Sequence, residues 1–169
     1  NAIGISPVDG FLYGVRYAPL QLVRVSANTT SNVTAIGNVT GTSITSSDNA
    51  YAGCFDANGD FYFMTEDNNF YRISGINYPA APLTATLIGS VSPASGFFVD
   101  LAVDPTNGDL YGVAGVGESN KNLYKVNKTN GTLTLVGTYS GSQYIAALFF
   151  NETGTLYGYR QDGTYQQVD

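Results

Sequence analysis

The sequence contains no histidine, and that absence removes more chemistry than any other feature of its composition. Without an imidazole there is no Ser-His or Cys-His nucleophilic pair, no usual zinc ligand and no general base that titrates near neutrality. Tryptophan is also missing, and cysteine occurs once, at Cys54, so no intramolecular disulfide can form. A lone cysteine flanked by apolar residues reads as core filler, not as a nucleophile. Charge is scarce as well: Asp, Glu, Lys and Arg make up 12% of the chain, about half the usual share. The 7 Lys and Arg are scattered singly against a net charge of -6, which leaves no basic stripe to neutralise phosphates. Nucleic acid is therefore not an expected partner.

Long apolar runs are absent too. None approaches the ~20 residues a membrane-spanning helix needs, so membrane insertion is not expected. No leader of basic then apolar residues opens the chain, and it begins at Asn1 without an initiator Met, as a processed protein or a segment of a longer one would. Nor does any segment sustain a 3.6-residue period, which argues against helices. What fills the sequence instead is Gly, Thr, Ser, Asn and Tyr, with 43% hydrophobic residues to supply a core.

Self-comparison reveals a repeat. Gly10-Phe11-Leu12-Tyr13-Gly14 recurs as Gly59-Asp60-Phe61-Tyr62-Phe63, Gly108-Asp109-Leu110-Tyr111-Gly112 and Gly154-Thr155-Leu156-Tyr157-Gly158, at spacings of 49, 49 and 46 residues. Each core follows a short apolar run (Ala2 to Ile5, Ala52 to Phe55, Leu101 to Val103, Ala147 to Phe150) and a turn rich in Asp, Asn, Pro and Gly, the signature of a hairpin. A third alternating run comes next: Leu22 to Val25, Phe70 to Ile73, Leu123 to Val126 and, more weakly, Tyr165 to Val168. Three repeats add a fourth run, at Thr34 to Gly37, Thr86 to Gly89 and Thr134 to Gly137. Four short strands per 45 to 50 residues is the β-propeller period. The expected fold is a single all-β domain over 1–169, a propeller-type array of four-stranded antiparallel blades with repeats at about 1–50, 51–98, 99–143 and 144–169. A β-sandwich is the main alternative, although it would not need such regular spacing.

The phrases Asp104-Pro105-Thr106-Asn107-Gly108-Asp109-Leu110-Tyr111-Gly112, Asn122 to Val126 and Leu133 to Gly137 resemble the repeats of secreted propeller domains in microbial surface proteins. The resemblance covers nearly the whole chain and concerns blade architecture. It implies an extracellular or cell-surface location and a binding or structural role, with no catalytic residues to carry over.

The repeat stops after the third strand of its fourth unit, for a tally of about 3.75 blades. That leaves Tyr165, Gln166, Gln167 and Val168 as an assembly edge, whose unpaired backbone groups are a template for another strand. The expected partners are therefore a second copy of the chain or a continuation of it, with glycans as a further candidate.

Candidate ligand residues are few. Arg16, Thr65, Ala114 and Arg160 stand three places beyond the repeated Tyr; they differ between units, and the neighbouring Glu66 and Asp67 add carboxylates. Arg16, Glu66, Asp67 and Arg160 are thus the candidate ligand site, against the plainer reading that they decorate the rim. A carboxylate-only glycosidase would draw on Glu66, Asp67, Asp100, Glu118 and Asp162, which sequence alone cannot pair. The turns at Asp56 to Asp60 and Asp104 to Asp109 resemble calcium loops, but Asn-Gly-Asp suffices as a hairpin turn, and neither a metal nor another cofactor is expected. Repeated Tyr13, Tyr62, Tyr111 and Tyr157 are expected to pack blade on blade. Finally, Asn28, Asn32, Asn38, Asn127, Asn130 and Asn151 each begin an Asn-x-Thr acceptor, read either as glycan sites or as turn formers. Asn28, Asn38 and Asn130 are expected beside the turn between third and fourth strands. The functional expectation is a non-catalytic extracellular module for structure, adhesion or self-assembly, with a glycan-binding propeller as the alternative and a carboxylate enzyme behind it.

Overall fold

The structure is a computed structural model, described here for residues 2–26, 33–45, 47–76, 83–115, 121–139 and 145–168. Among these residues every regular element is a strand. Unit one holds β1 (Ile3–Ile5), β2 (Leu12–Arg16), β3 (Gln21–Val25) and β4 (Val33–Gly41). Unit two holds β5 (Ala50–Phe55), β6 (Phe61–Thr65), β7 (Asn69–Ile73) and β8 (Leu83–Ser90). Unit three holds β9 (Phe97–Val103), β10 (Leu110–Gly115), β11 (Lys121–Val126) and β12 (Leu133–Tyr139), and the last unit holds β13 (Ile145–Phe150), β14 (Leu156–Arg160) and β15 (Tyr165–Gln167). Within each unit the strands form an antiparallel meander in chain order. The inner strands β1, β5, β9 and β13 lie side by side in that order, each sheet packing on the next, as in a propeller and unlike a two-sheet sandwich.

The hairpins owe their shape to one recurring device. Ser6, Asp56, Asp104 and Asn151 each end the first strand of a unit and accept the backbone N–H two residues on, from Val8, Asn58, Thr106 and Thr153. The backbone carbonyls of the same four residues accept the N–H of Gly10, Gly59, Gly108 and Gly154. Those glycines have φ between 73° and 82°, the left-handed region where a Cβ is strained, so the repeated Gly is the residue that lets the chain reverse.

Alternation along the strands sorts side chains onto two faces, and directly opposed residues share one. In unit two the row Phe55, Phe61, Ile73, Ala85 crosses all four strands and packs on unit one. Val103, Leu110, Val126 and Leu133 form the same row in unit three, against unit two. The last unit presents Phe150, Leu156 and Val168 to unit three. Each row meets the repeated tyrosine of the preceding unit: Tyr13 lies edge-on to Phe55 at 5.7 Å, and Tyr111 meets Phe150 at 5.6 Å. Between units two and three a cation takes the place of a ring, with Lys128 over Tyr62 at 5.7 Å and 3.3 Å from Asp56. Each large side chain buried this way contributes about 1.5–3 kcal/mol.

One feature goes beyond the expected array. The end of β4 leaves β3 and runs parallel to the start of β8, pairing Val39, Thr40 and Gly41 with Leu83, Thr84 and Ala85. Units one and two therefore form one eight-stranded sheet joined at their outer edges, where the repeat pattern predicts two separate sheets. The approach is close: a Cβ on Gly41 would sit 2.4 Å from the carbonyl oxygen of Ala85.

Candidate functional site

The four candidate ligand residues fall at the ends of second strands. Arg16 ends β2 and is exposed, while Arg160 ends β14, is half-buried, and lies 3.9 Å from Asp162 in the turn that follows. Glu66 and Asp67 form the exposed turn after β6. The Glu66 carboxylate accepts hydrogen bonds from Asn49 Nδ2 and the Tyr51 hydroxyl, both at 3.1 Å, and the Tyr51 ring stacks on Phe97 at 5.0 Å. Among the described residues no ion pair joins Arg16 or Arg160 to Glu66 or Asp67. Thr65 and Ala114, at the matching place in units two and three, are buried, with the Thr65 hydroxyl accepting the Asn69 N–H. These positions follow blade geometry, each at the end of the second strand of its unit or in the turn after it.

The calcium-like loops are occupied by their own backbone. Asp56 Oδ1 accepts two N–H groups, from Asn58 and Asp60, and Oδ2 meets Lys128. Asp104 accepts from the Thr106 N–H and hydroxyl and from Asn107. Among the described residues no three His, Cys, Asp or Glu side chains converge as metal ligands. Cys54 is buried, and desolvation raises its thiol well above the ordinary range, which suits core filler.

Of the candidate carboxylates, Glu118 lies outside the described residues and Asp162 caps its own turn through Thr164. Asp100 is different. Aligned by register, it stands where the other units have Ala2, Ala52 and Ala147, on an inner strand and directed at the next unit. Its Oδ2 accepts the Leu148 N–H of β13 at 2.7 Å. Burial pushes its pKa up to about 7, against the lowering effect of the Leu148 and Leu101 backbone N–H groups. The repeat comparison is the signal that singles it out: three alanines and one aspartate at one place.

Among the described residues, exposed apolar side chains gather on the outer faces of the first and last units. On unit one the row Ile5, Leu12, Val25, Val33 is the counterpart of the rows that pack on a preceding unit elsewhere. Ile5 is 68% exposed, Val33 59% and the neighbouring Ile3 53%. On the last unit, Phe149, Tyr157, Tyr159 and Tyr165 face away from unit three, with Phe149 stacked on Tyr157 at 5.3 Å and Tyr165 67% exposed. Tyr157 is the repeated tyrosine, and it meets Phe149 and Tyr165 of its own unit where Tyr13 and Tyr111 meet a ring of the next. Sequence reasoning places Tyr165 and Val168 together as edge residues in need of cover. In the structure they part: Tyr165 joins the open aromatic face, whereas Val168 turns toward unit three. It lines a cleft of about 190 Å³ between the third and last units with Val113, Leu123, Val136 and Tyr139. Gln166 and Gln167 pair with Gly158 and Tyr157 of β14.

Asn127 and Asn130 are exposed in the turn between β11 and β12, and Asn151 is half-buried in the turn before β14. Asn28 and Asn32 lie outside the described residues. Asn38 is exposed but departs from its expected place: it lies within β4, opposite Gln21 at the start of β3, because β4 runs long.

Comparison with known proteins places this architecture. The model of a family described as a repeat of unknown function, DUF6923, matches residues 1–169. The chain belongs to that family. No curated protein matches the sequence. Among solved structures, a protein of unknown function from Bacteroides thetaiotaomicron is 13% identical with a TM-score of 0.66, the match covering 98% of this chain and 46% of that one. A gluconolactonase from Xanthomonas campestris is 11% identical with a TM-score of 0.61, over 99% of this chain and 56% of the other. The major Malassezia sympodialis allergen Mala s 1 is 12% identical with a TM-score of 0.56, over 98% and 52%. These likenesses show the propeller-like fold, and this DUF6923 chain spans about half the length of those neighbours.

Proposed function

We propose that this chain is a non-catalytic interaction module, a propeller segment at the cell surface or outside the cell that binds and assembles. The observation that carries the reading is the set of apolar side chains exposed on the outer faces of the first and last units, Ile3, Ile5 and Val33 on one and Phe149, Tyr159 and Tyr165 on the other, which call for cover by a further part of the same protein or by a partner. The absence of histidine supports it, as do carboxylates spent on turn capping at Asp56 and Asp104. Exposed acceptors at Asn38, Asn127 and Asn130 support the extracellular placement. Mass spectrometry of protein from its native source is expected to find glycan on at least one of them, and bare asparagines at all six acceptors would remove that support.

Two readings compete. Glycan binding is favoured by the cluster Phe149, Tyr157 and Tyr165, since such rings offer apolar faces beside hydroxyls. Lactone or glycoside chemistry is favoured by the buried Asp100 and by the names of some structural neighbours. The test is a panel of lactones and glycosides assayed with and without Ca²⁺, Zn²⁺ and Mn²⁺, using Asp100→Asn as the control. The proposal expects no turnover above the control. Turnover by the wild type that disappears in Asp100→Asn would make the chain an enzyme.

A further inference from the structure

In units one to three a cation on the third strand stands opposite the repeated tyrosine: Arg24 opposite Tyr13, Arg72 opposite Tyr62 and Lys125 opposite Tyr111. Its surroundings differ from unit to unit. Arg24 lies over the Phe11 ring at 4.3 Å, and Lys125 meets Asp109 at 2.6 Å, so each is held closely by a neighbour in its own unit. Arg72 is held loosely. It stands 3.7 Å from Asp60, beyond hydrogen-bond length, with its side chain 42% exposed. A second cation lines the same space. Lys128, in the turn between β11 and β12, reaches across the junction from unit three to Asp56 at 3.3 Å and lies over the Tyr62 ring at 5.7 Å.

Arg72 and Lys128 line one groove of about 440 Å³ between units two and three, within the ~300–1,000 Å³ of small-molecule sites. Strand pairing sets its wall on unit two, where Tyr62, Arg72 and Thr86 stand opposite one another across β6, β7 and β8. Thr129, next to Lys128, adds a hydroxyl from unit three. The balance of hydrogen-bonding groups selects the ligand. Asp56 is buried and already accepts from the Asn58 and Asp60 N–H groups and from Lys128, so it is spent. The lining also holds a guanidinium with five N–H donors, an ammonium that gives one of its three to Asp56, two threonine hydroxyls and the Asp60 carboxylate. Donors outnumber acceptors. The groove therefore suits a ligand that brings an oxyanion for the cations and hydroxyl groups for Asp60. A planar carboxylate takes two parallel N–H bonds from an arginine, whereas a doubly charged phosphate would be repelled by Asp60. We infer that this groove binds a cyclic sugar acid, a hexuronate whose carboxylate lies on Arg72 and Lys128 and whose ring hydroxyls reach Asp60, Thr86 and Thr129.

The groove lies away from the outer faces of the first and last units, so the inference goes beyond the interaction-module reading and fails or stands apart from it. Its test is NMR titration and calorimetry of the full chain with D-glucuronate, its methyl glycoside, D-glucose, acetate and inorganic phosphate. Glucuronate is expected to bind with a Kd at or below about 1 mM and to shift the amides of Arg72, Thr86, Lys128 and Thr129. Arg72→Gln alters an exposed side chain, so it should fold like the wild type and weaken binding about 10-fold or more. Lys128→Gln should weaken it too, with the unfolding temperature measured alongside because the change leaves Asp56 without its cation. Equal binding of the methyl glycoside assigns a residue within a saccharide chain, and its loss assigns the free acid; either result upholds the site. Glucose, acetate or phosphate binding as tightly as glucuronate overturns the proposal. So does an affinity unchanged in Arg72→Gln, or a wild type whose amides stay unshifted at about 10 mM glucuronate.

Discussion

At the junction of the first two units, Phe55, Phe61, Ile73 and Ala85 form a row across four strands that is sealed from water by Tyr13, Val15 and Leu22. On the outer face of unit one, Ile5, Leu12, Val25 and Val33 occupy the same places, with Ile5 and Val33 exposed and Leu12 and Val25 half-buried. The two rows share register, strand order and apolar character, and they differ in how far they are buried. An apolar row across a sheet is thus a joint by construction, and its energetic weight depends on what arrives to cover it.

The comparison is broken most sharply by truncating one residue in each row. Phe61→Ala should lower the unfolding free energy by about 3–5 kcal/mol, the cost of a large cavity in a fully buried cluster. Ile5→Ala in dilute, monomeric protein should change it by less than about 0.5 kcal/mol, since little of that side chain is buried. Chemical denaturation of both variants at low concentration gives the contrast. Equal losses would mean that the outer row is already covered within a single chain.

The third junction differs from the first in having a carboxylate where the first has Ala2. Folding raises the pKa of Asp100 from 3.8 to about 7, so the folded protein binds a proton that the unfolded chain has released between those values. Stability contributed by this site is therefore greatest below pH 4 and falls as pH rises toward 7. Three pKa units correspond to about 4 kcal/mol as an upper bound. Asp100→Asn keeps an oxygen for the Leu148 N–H and removes the charge, so it should stabilise the protein at pH 8, by a margin that shrinks toward pH 4. Parallel pH profiles for the two proteins would show that Asp100 titrates normally.

A smaller effect is expected where units one and two are sealed at their outer edges. Gly41→Ala places a methyl against the Ala85 carbonyl and should cost about 1–3 kcal/mol. Hydrogen exchange would localise the loss to Val39 to Gly41 and Leu83 to Ala85, and unchanged protection there would show that the parallel pairing contributes nothing.

How much of this was legible in the sequence follows from what repetition can encode. The period of Gly-x-x-Tyr cores predicts the meanders, because a left-handed turn residue and alternating apolar positions are local requirements. Tyr13, Tyr62 and Tyr111 read correctly as packing residues for the same reason. The parallel pairing of β4 with β8 was not legible, since it joins residues more than forty apart that no local rule links. The rim candidates Arg16, Glu66, Asp67 and Arg160 share a phase of the repeat, and phase fixes the end of the sheet without bringing side chains together. The outer faces were legible in part: Tyr165 and Val168 could be read as apolar residues of the last strand, but the row at Ile5 becomes visible only once register aligns it with Phe55, Val103 and Phe150.

The claim that the repeated tyrosine of one unit and the apolar row of the next make the joint is tested most directly by a double-mutant cycle on Tyr13 and Phe55, whose rings lie 5.7 Å apart. A coupling free energy of about 0.5–1.5 kcal/mol between Tyr13→Leu and Phe55→Leu is the expected result. Strictly additive losses would contradict it.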